Sequence, residues 1–172
     1  VEDRVTDSAA SATAYATGVL TYNRFIGMGP DSVSLETVME RAARRGMATG
    51  LVATSSIVHA TPASFAAHVS DRGEYEGIAA QMAASPVNVL LGGGRAYFDP
   101  ALREDGENHL ASLWNDRRRV ENATELDSVA ASGVAGLAGL FAENAMPAAD
   151  EGRSPTLAEM TQKALERLSK GR

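Results

Sequence analysis

Apolar residues along this chain of 172 amino acids follow two different spacings. They recur every three or four positions in residues 35–44, 75–84 and 157–168, which predicts amphipathic helices. Short continuous apolar runs in residues 47–54 and 86–91 instead predict buried strands. Helices that alternate with buried strands indicate an α/β fold.

Capping residues set the bounds of the predicted helices. A helix is expected from Ser8 to Gly18, because small helix-tolerant residues lie between them and glycine suits a helix end. Ser34 is expected to cap the next helix, and Thr61 to cap a later one that has proline in its first turn. The inward positions of the final helix are predicted to be Leu157, Met160, Ala164 and Leu168.

Shorter elements are predicted in the middle of the chain. Residues 109–118 predict a helix, and the three arginines at residues 117–119 are interpreted as its solvated end. The three glycines at residues 92–94 lack the GxxxxGK[ST] and GxGxxG patterns, so we interpret them as a tight turn. Further elements are expected as a strand at residues 120–122, a helix from Thr124 to Ala131 and a strand at residues 134–141.

Composition limits the classes of function. The net charge of -6 argues against nucleic acid or an acidic membrane as the main partner, and no apolar run is long enough to span a membrane. The absence of cysteine excludes disulfides and thiolate metal sites, and three histidines are few for a zinc site built by this chain alone. The chain begins at Val1 without a leader pattern, so we expect residues 1–172 to be a single, incomplete domain of a longer protein.

Asp7 and Ser8 introduce the first candidate chemistry. A serine at the beginning of a helix lies where free N–H groups and the positive end of the helix dipole favour anions, phosphate above all. The same hydroxyl is a candidate nucleophile if its proton is removed. Ordinary helix capping explains the same two residues, and local chemistry alone favours capping.

His59, Thr61 and Arg72 form a second group of candidates. They follow the first predicted strand, and the segment that leaves such a strand is where open α/β sheets bind ligands. Each also has a simpler interpretation, namely a loop histidine bonded to the backbone, a helix cap and a surface arginine. His68 and His109 have no acid–histidine pattern nearby, so we predict that they are structural or exposed.

Several stretches resemble the alkaline phosphatase family. TDSAASATA at residues 6–14 resembles the family's nucleophile segment, and the similarity continues through residues 17–23. HATPA at residues 59–63 and HVSDR at residues 68–72 resemble its second signature, and residues 140–168 are similar again. The resemblance implies part of a three-layer sandwich, in which helices cover both faces of a mostly parallel central sheet.

The resemblance also implies a role for each matching residue. Ser8 would attack the phosphate monoester, become a phosphoserine and ligate a zinc ion. Arg72 would bind the substrate phosphate, and Asp7 would hold Arg72 in place. Thr61 would ligate the third metal, usually magnesium, and His59 would lie near that metal. The family uses two zinc ions and one magnesium ion, and its members are commonly periplasmic or secreted homodimers.

Most of the family's metal ligands belong to segments that have no match in this chain, and three hypotheses therefore remain. In the first, the chain is the serine-bearing part of a metal-dependent phosphomonoesterase. In the second, it is an inactive structural or phosphate-binding module. In the third, it belongs to a phosphodiesterase or sulfatase-like branch, which the serine signature disfavours.

Overall fold

The computed structural model describes residues 5–115, 117–129 and 136–169. The helices in these ranges are α1 (Ser8–Thr17), α2 (Val38–Arg44), α3 (Ala60–Ala63), α4 (Tyr75–Ala84), α5 (His109–Trp114), α6 (Ala123–Ser128) and α7 (Leu157–Leu168). The strands are β1 (Gly50–Ser56), β2 (Val89–Gly93), β3 (Arg117–Val120) and β4 (Gly136–Leu140). Short 3₁₀ segments lie at Arg95–Tyr97 and Ala149–Glu151.

The four described strands form one parallel sheet in the order β1-β2-β4-β3. Leu51 pairs with Leu90, and Ala138 pairs with Leu90 on one side and Arg119 on the other. Parallel neighbours need crossover connections, and helices supply them here: α3 and α4 after β1, α5 after β2, and α6 after β3. The carboxyl ends of the strands therefore lie at one edge of the sheet, where such folds bind ligands.

Apolar clusters lie on both faces of the sheet. Leu90 belongs to the cluster that contains Ile78 of α4 and Leu113 of α5, whereas the adjacent Leu91 belongs to the cluster that contains Met160 of α7. Each of these side chains is fully buried, which stabilises the fold by roughly 1.5–3 kcal/mol per side chain. Helices on both faces of a parallel sheet confirm the predicted three-layer α/β fold.

Several predicted elements are confirmed. α1 begins at Ser8 behind an Asp7 N-cap, and Gly18 ends it with a left-handed φ of 79°. α4 spans the predicted residues 75–84. In the final helix, Met160 and Ala164 are buried as predicted, but Leu157 at its first position is 47% exposed, so its inward assignment was wrong.

The strands β1 and β2 begin three residues later than predicted. Before both strands, the Asn88 side chain accepts a 2.9 Å hydrogen bond from the Thr49 N–H, which joins the two segments ahead of the ladder. β2 also continues through the first two glycines of the predicted tight turn. The turn is therefore made by Gly94 alone, where φ is 102° and a side chain would collide with the Ser56 hydroxyl.

The cap of α2 differs from the prediction. Thr37 caps this helix, because its hydroxyl accepts a 3.2 Å bond from the Glu40 N–H and the Glu40 carboxylate accepts a 2.8 Å bond from the Thr37 N–H. Ser34, the predicted cap, instead pairs with Met28 in an isolated antiparallel bridge. The capping-box spacing from threonine to glutamate was the signal in the sequence that the prediction overlooked.

The caps of α3 and α6 also differ from the prediction. His59 lies at the N-cap of α3, so Thr61 is already inside the first turn rather than at the cap. Asn122 caps α6 by accepting a 2.9 Å bond from the Glu125 N–H, which places the predicted cap Thr124 inside that helix. Both helices therefore begin earlier than predicted. In α6, Asn122 reaches a free N–H ahead of Thr124, whereas His59 takes the N-cap position of α3 without a side-chain bond.

The largest correction concerns the arginines at residues 117–119. They form most of the edge strand β3, α5 ends at Trp114, and only Val120 of the predicted strand at residues 120–122 belongs to a strand. The guanidinium of Arg119 lies 4.1 Å from the centre of the Trp114 ring. The Arg117 guanidinium donates hydrogen bonds of 2.7–3.2 Å to the carbonyls of Ala83, Ser85, Val87 and Leu113.

The remaining elements agree in part. β4 lies inside the strand predicted at residues 134–141, but its first two predicted positions fall outside the described residues, as does the predicted end of α6 at Ala131. His68 is structural, as predicted: its ring nitrogens lie 2.8 Å from the Gly27 carbonyl and 2.9 Å from the Glu40 carboxylate. In the ranges that the structure describes, no helix is long and apolar enough to cross a membrane.

Candidate active site

The amino terminus of α1 presents Asp7 and Ser8. Asp7 is the N-cap, and its Oδ1 accepts a 2.9 Å hydrogen bond from the Ala10 N–H. Ser8 is the first residue of this ten-residue helix, so its hydroxyl lies at the positive end of the helix dipole. Asp7 can therefore cap the helix while the Ser8 hydroxyl in the same turn remains able to contact an anion.

Arg72 joins this helix end to the loop after β1. Its Nη1 donates a 2.7 Å bond to Ser8 Oγ and a 3.2 Å bond to Asp7 Oδ2. Its Nη2 lies 3.2 Å from Nε2 of His59. The side chains of Arg72 and Asp7 are 20% and 24% exposed, so the ion pair is shielded from solvent but remains accessible. The guanidinium therefore brings together three of the four other predicted site residues.

Two contacts between distant segments make this meeting possible. Thr13 of α1 and Ser64, which follows α3, are completely buried, and their hydroxyls lie 3.3 Å apart. Ile26 and Val69 form an antiparallel bridge with hydrogen bonds of 2.9 and 3.0 Å. The first contact fixes α1 against α3, and the second brings the segment that ends at Arg72 beside the segment after α1.

Asn23 and Arg24 belong to the site, although the sequence reasoning gave them no role. The Asn23 side-chain oxygen accepts a 2.9 Å bond from the Asp7 N–H. The Arg24 N–H donates a 3.1 Å bond to Asp7 Oδ2, and the Arg24 carbonyl accepts a 2.8 Å bond from the Arg72 N–H. No local pattern signals these contacts, because each joins residues at least 16 positions apart in the sequence.

The surroundings favour the ionised form of Asp7. Burial is the strongest single effect and opposes ionisation, but hydrogen bonds from the Ala10 N–H, the Arg72 guanidinium and the Arg24 N–H together outweigh it. The pKa of Asp7 is therefore below its ordinary value. The ionised carboxylate in turn holds the positively charged guanidinium beside Ser8.

The surroundings of His59 disfavour its protonated form. Burial, followed by the positive charge of Arg72, lowers the pKa of His59 below its ordinary value. Because a guanidinium can only donate hydrogen bonds, Nε2 of His59 accepts the bond from Arg72. A neutral imidazole has one acceptor nitrogen, here Nε2, so binding of a metal by His59 would require release of the Arg72 contact.

Thr61 lies in the first turn of α3, two residues after His59, and is exposed. Across residues 5–115, 117–129 and 136–169, no group of three or more histidine, cysteine, aspartate or glutamate side chains is placed to hold a metal ion. The donors present therefore do not fit a complete zinc or magnesium site. They can form at most one side of such a site.

The arrangement of these residues defines a class of protein: an α/β protein that holds a serine hydroxyl and an arginine together at a helix amino terminus. The sequence profile of the family described as alkaline phosphatase matches residues 1–172. The chain belongs to the alkaline phosphatase family.

Individual relatives support this assignment. The chain is 37% identical to alkaline phosphatase 3 of Bacillus subtilis, over 98% of this chain and 37% of the relative. It is 35% identical to the alkaline phosphatase of Escherichia coli, over 98% of this chain and 46% of the relative. The chain thus spans less than half the length of these two relatives.

Solved structures give the same result. The alkaline phosphatase from the Antarctic bacterium TAB5 superposes with a TM-score of 0.87 and 39% identity, over 98% of this chain and 49% of that chain. A mutant of the TAB5 enzyme with Mg bound in the M3 site superposes with a TM-score of 0.86, over 96% of this chain and 47% of that chain. The similarity covers the fold and nearly every described element.

Proposed function

We propose that this chain carries the phosphate-binding and nucleophilic part of a phosphate monoester hydrolase. The observation that carries the proposal is the 2.7 Å contact between Arg72 Nη1 and Ser8 Oγ at the amino terminus of α1. A planar guanidinium binds phosphate oxygens through parallel donors, and a helix amino terminus adds positive potential. Family membership supports phosphomonoesters as the substrate class.

In the proposed reaction, Arg72 binds two oxygens of the phosphate while Ser8 Oγ attacks phosphorus in line. The bond from phosphorus to the leaving alcohol breaks as the bond to Ser8 Oγ forms, and the alcohol leaves with the bonding electron pair. The proton of Ser8 Oγ passes through solvent to the departing oxygen, so a neutral alcohol is released. The positive charges of Arg72 and the helix terminus stabilise the negative charge on the phosphoryl oxygens. Water then cleaves the phosphoserine and releases inorganic phosphate.

Asp7 and His59 act on Arg72 rather than on the substrate. The ionised Asp7 carboxylate and the His59 ring each bind a different terminal nitrogen of the guanidinium. Two such contacts fix the plane of the guanidinium, which sets the direction of its donors toward the phosphate. Removal of either contact would leave the charge in place and loosen its orientation.

We propose that Ser8, His59 and Thr61 contribute to metal sites whose other ligands lie outside the described residues. The family and its Mg-containing member support magnesium, and the resemblance supports two zinc ions. The donors in the described ranges do not complete such a site. The same family resemblance supports a homodimer in the periplasm or outside the cell, which fractionation and size-exclusion chromatography would test.

A second candidate function is a phosphate-binding or structural module without turnover. The incomplete set of metal donors in the described ranges favours it. In that case, Arg72 and the helix terminus would still bind phosphate, but phosphate esters would not be cleaved.

The experiment that tests the proposal is the release of p-nitrophenol from its phosphate ester, with zinc and magnesium added. Ser8→Ala should abolish release, because the attacking oxygen is removed. Ser11→Ala is the matched control, since Ser11 lies on the same helix and its hydroxyl donates a long, exposed 3.5 Å bond to Thr6 Oγ1. Equal rates in wild type and Ser8→Ala would reject the proposal, and phosphate binding without release would favour the module.

A further inference from the structure

The backbone of Arg24 contacts Asp7 and Arg72 of the candidate site. Its side chain contacts Asp71, the residue before Arg72. We propose that Arg24 is a positioning residue, which sets Asp7 and Arg72 relative to Ser8 through a left-handed backbone and an ion pair with Asp71. The inference rests on the proposed function, because the site that Arg24 positions is the proposed phosphate site.

The backbone of Arg24 joins the two segments of the site. Its N–H donates to Asp7 Oδ2 at 3.1 Å, and its carbonyl accepts from the Arg72 N–H at 2.8 Å. The same oxygen of Asp7 accepts the hydrogen bond from Arg72 Nη1. One residue thus fixes both the carboxylate that holds the guanidinium and the backbone from which the guanidinium extends.

This pair of contacts requires an uncommon backbone conformation. Arg24 has a φ of 74°, in the left-handed region that residues other than glycine and asparagine rarely adopt. A β-branched residue at this position would favour a different φ. The N–H and the carbonyl would then point away from Asp7 and Arg72.

The side chain of Arg24 adds a second constraint. Its Nε and Nη2 donate to the two carboxylate oxygens of Asp71 at 3.0 and 2.6 Å. Asp71 precedes Arg72, and its Oδ1 also accepts a 2.7 Å bond from the Gly73 N–H. The ion pair therefore fixes the residues on both sides of Arg72.

The two constraints differ in expected strength. The side chains of Arg24 and Asp71 are 58% and 45% exposed, so solvent weakens their attraction. The backbone contacts reach the less exposed Asp7 and Arg72 directly. Loss of the left-handed turn should therefore disturb the site more than loss of the ion pair.

Binding of inorganic phosphate, measured by isothermal titration calorimetry, tests these roles. Arg24→Gly keeps the left-handed turn and removes the ion pair, whereas Arg24→Val opposes the turn as well. A displaced site group weakens binding steeply, so we expect affinity to fall about threefold in Arg24→Gly and about tenfold in Arg24→Val. Ser32→Val is the matched control, because Ser32 is also left-handed, with a φ of 61°, and lies in an exposed turn.

The variants are repeated in an Arg72→Ala background, which separates positioning from general structural damage. If Arg24 acts through Arg72, its substitutions should not weaken phosphate binding further in that background. An equal additional loss there would overturn the proposal, as would wild-type affinity in Arg24→Val. If Arg24→Val does not fold by circular dichroism, Arg24→Gly and Asp71→Asn decide, and wild-type affinity in both overturns it.

The same series separates this inference from the proposed function. Unchanged phosphate affinity in Arg72→Ala, or no binding by the wild type, would reject the proposed function and the inference together. A loss in Arg72→Ala without any loss in the Arg24 variants would reject only the inference.

Discussion

Arg72 and Arg117 are both partly buried, but their guanidinium groups have different kinds of partner. Arg72 lies at the amino terminus of α1, where its partners are the side chains of Asp7, Ser8 and His59. Arg117 lies on the edge strand β3, where its guanidinium donates hydrogen bonds to four backbone carbonyls. The partners of Arg72 are side chains, which a ligand can displace. The guanidinium of Arg117 joins several main-chain segments by hydrogen bonds.

The difference teaches that the partners of an arginine indicate its role better than its burial does. Both side chains are partly buried, so burial does not distinguish them. The four carbonyls are partly buried and would lose a charged donor if the arginine were removed, so Arg117 should contribute to stability. Hydroxyl, carboxylate and imidazole groups around Arg72 can rearrange around phosphate, so Arg72 should contribute to binding.

The largest effect is expected for Arg72→Lys. Lysine keeps the charge but loses the planar pair of donors, so kcat/KM for p-nitrophenyl phosphate should fall by about 100-fold. The free energy of unfolding should change by less than about 1 kcal/mol, because the lysine ammonium can still pair with the Asp7 carboxylate. Full activity in this variant would remove the distinction between the two arginines.

Arg117→Met should show the opposite pattern. The carbonyls that lose their donor are partly buried, so the free energy of unfolding in urea should fall by about 2–3 kcal/mol. Phosphate affinity should not change in the folded variant. Arg118→Met is the matched control, since Arg118 lies on the same strand and is exposed, and a similar loss of stability there would show that the bonds of Arg117 are unimportant.

The smallest effect is expected for Asp7→Asn, which keeps an N-cap side chain and removes the charge. The pKa of Asp7 is lower in the folded protein, so the charge adds stability above the ordinary pKa of aspartate and loses it as the pH falls through the folded value. Wild type should exceed the variant by about 1 kcal/mol at pH 7, and the difference should disappear at acidic pH. A difference that persists below the folded pKa would contradict this assignment.

Much of the fold follows from local patterns in the sequence. The bounds of α1 and α4 were predicted because small residues end at Gly18 and apolar spacing identifies residues 75–84. The strand β3 was not predicted, because RRRV has no apolar run and, among the described strands, pairs with β4 alone. The strand is held by its pairing with β4 and by the bonds of Arg117 to distant segments, and no local pattern encodes these contacts.

The candidate site was predictable in part. The motifs indicated Asp7, Ser8, His59 and Arg72, and the structure joins these four through the guanidinium. Arg24 gave no signal, because its contribution comes from a left-handed backbone. That conformation is set by contacts between segments 47 residues apart in sequence, as its ion pair with Asp71 illustrates.

In the proposed mechanism, Ser8 Oγ is the nucleophile that accepts the phosphoryl group while Arg72 binds the phosphate oxygens. The most direct measurement is mass spectrometry of the protein after acid quenching of a reaction with a phosphate monoester, zinc and magnesium. We predict a phosphorylated peptide that contains Ser8, absent in Ser8→Ala and strongly reduced in Arg72→Lys. Turnover of the ester with no phosphate on Ser8, or with phosphate on another residue, would contradict the claim.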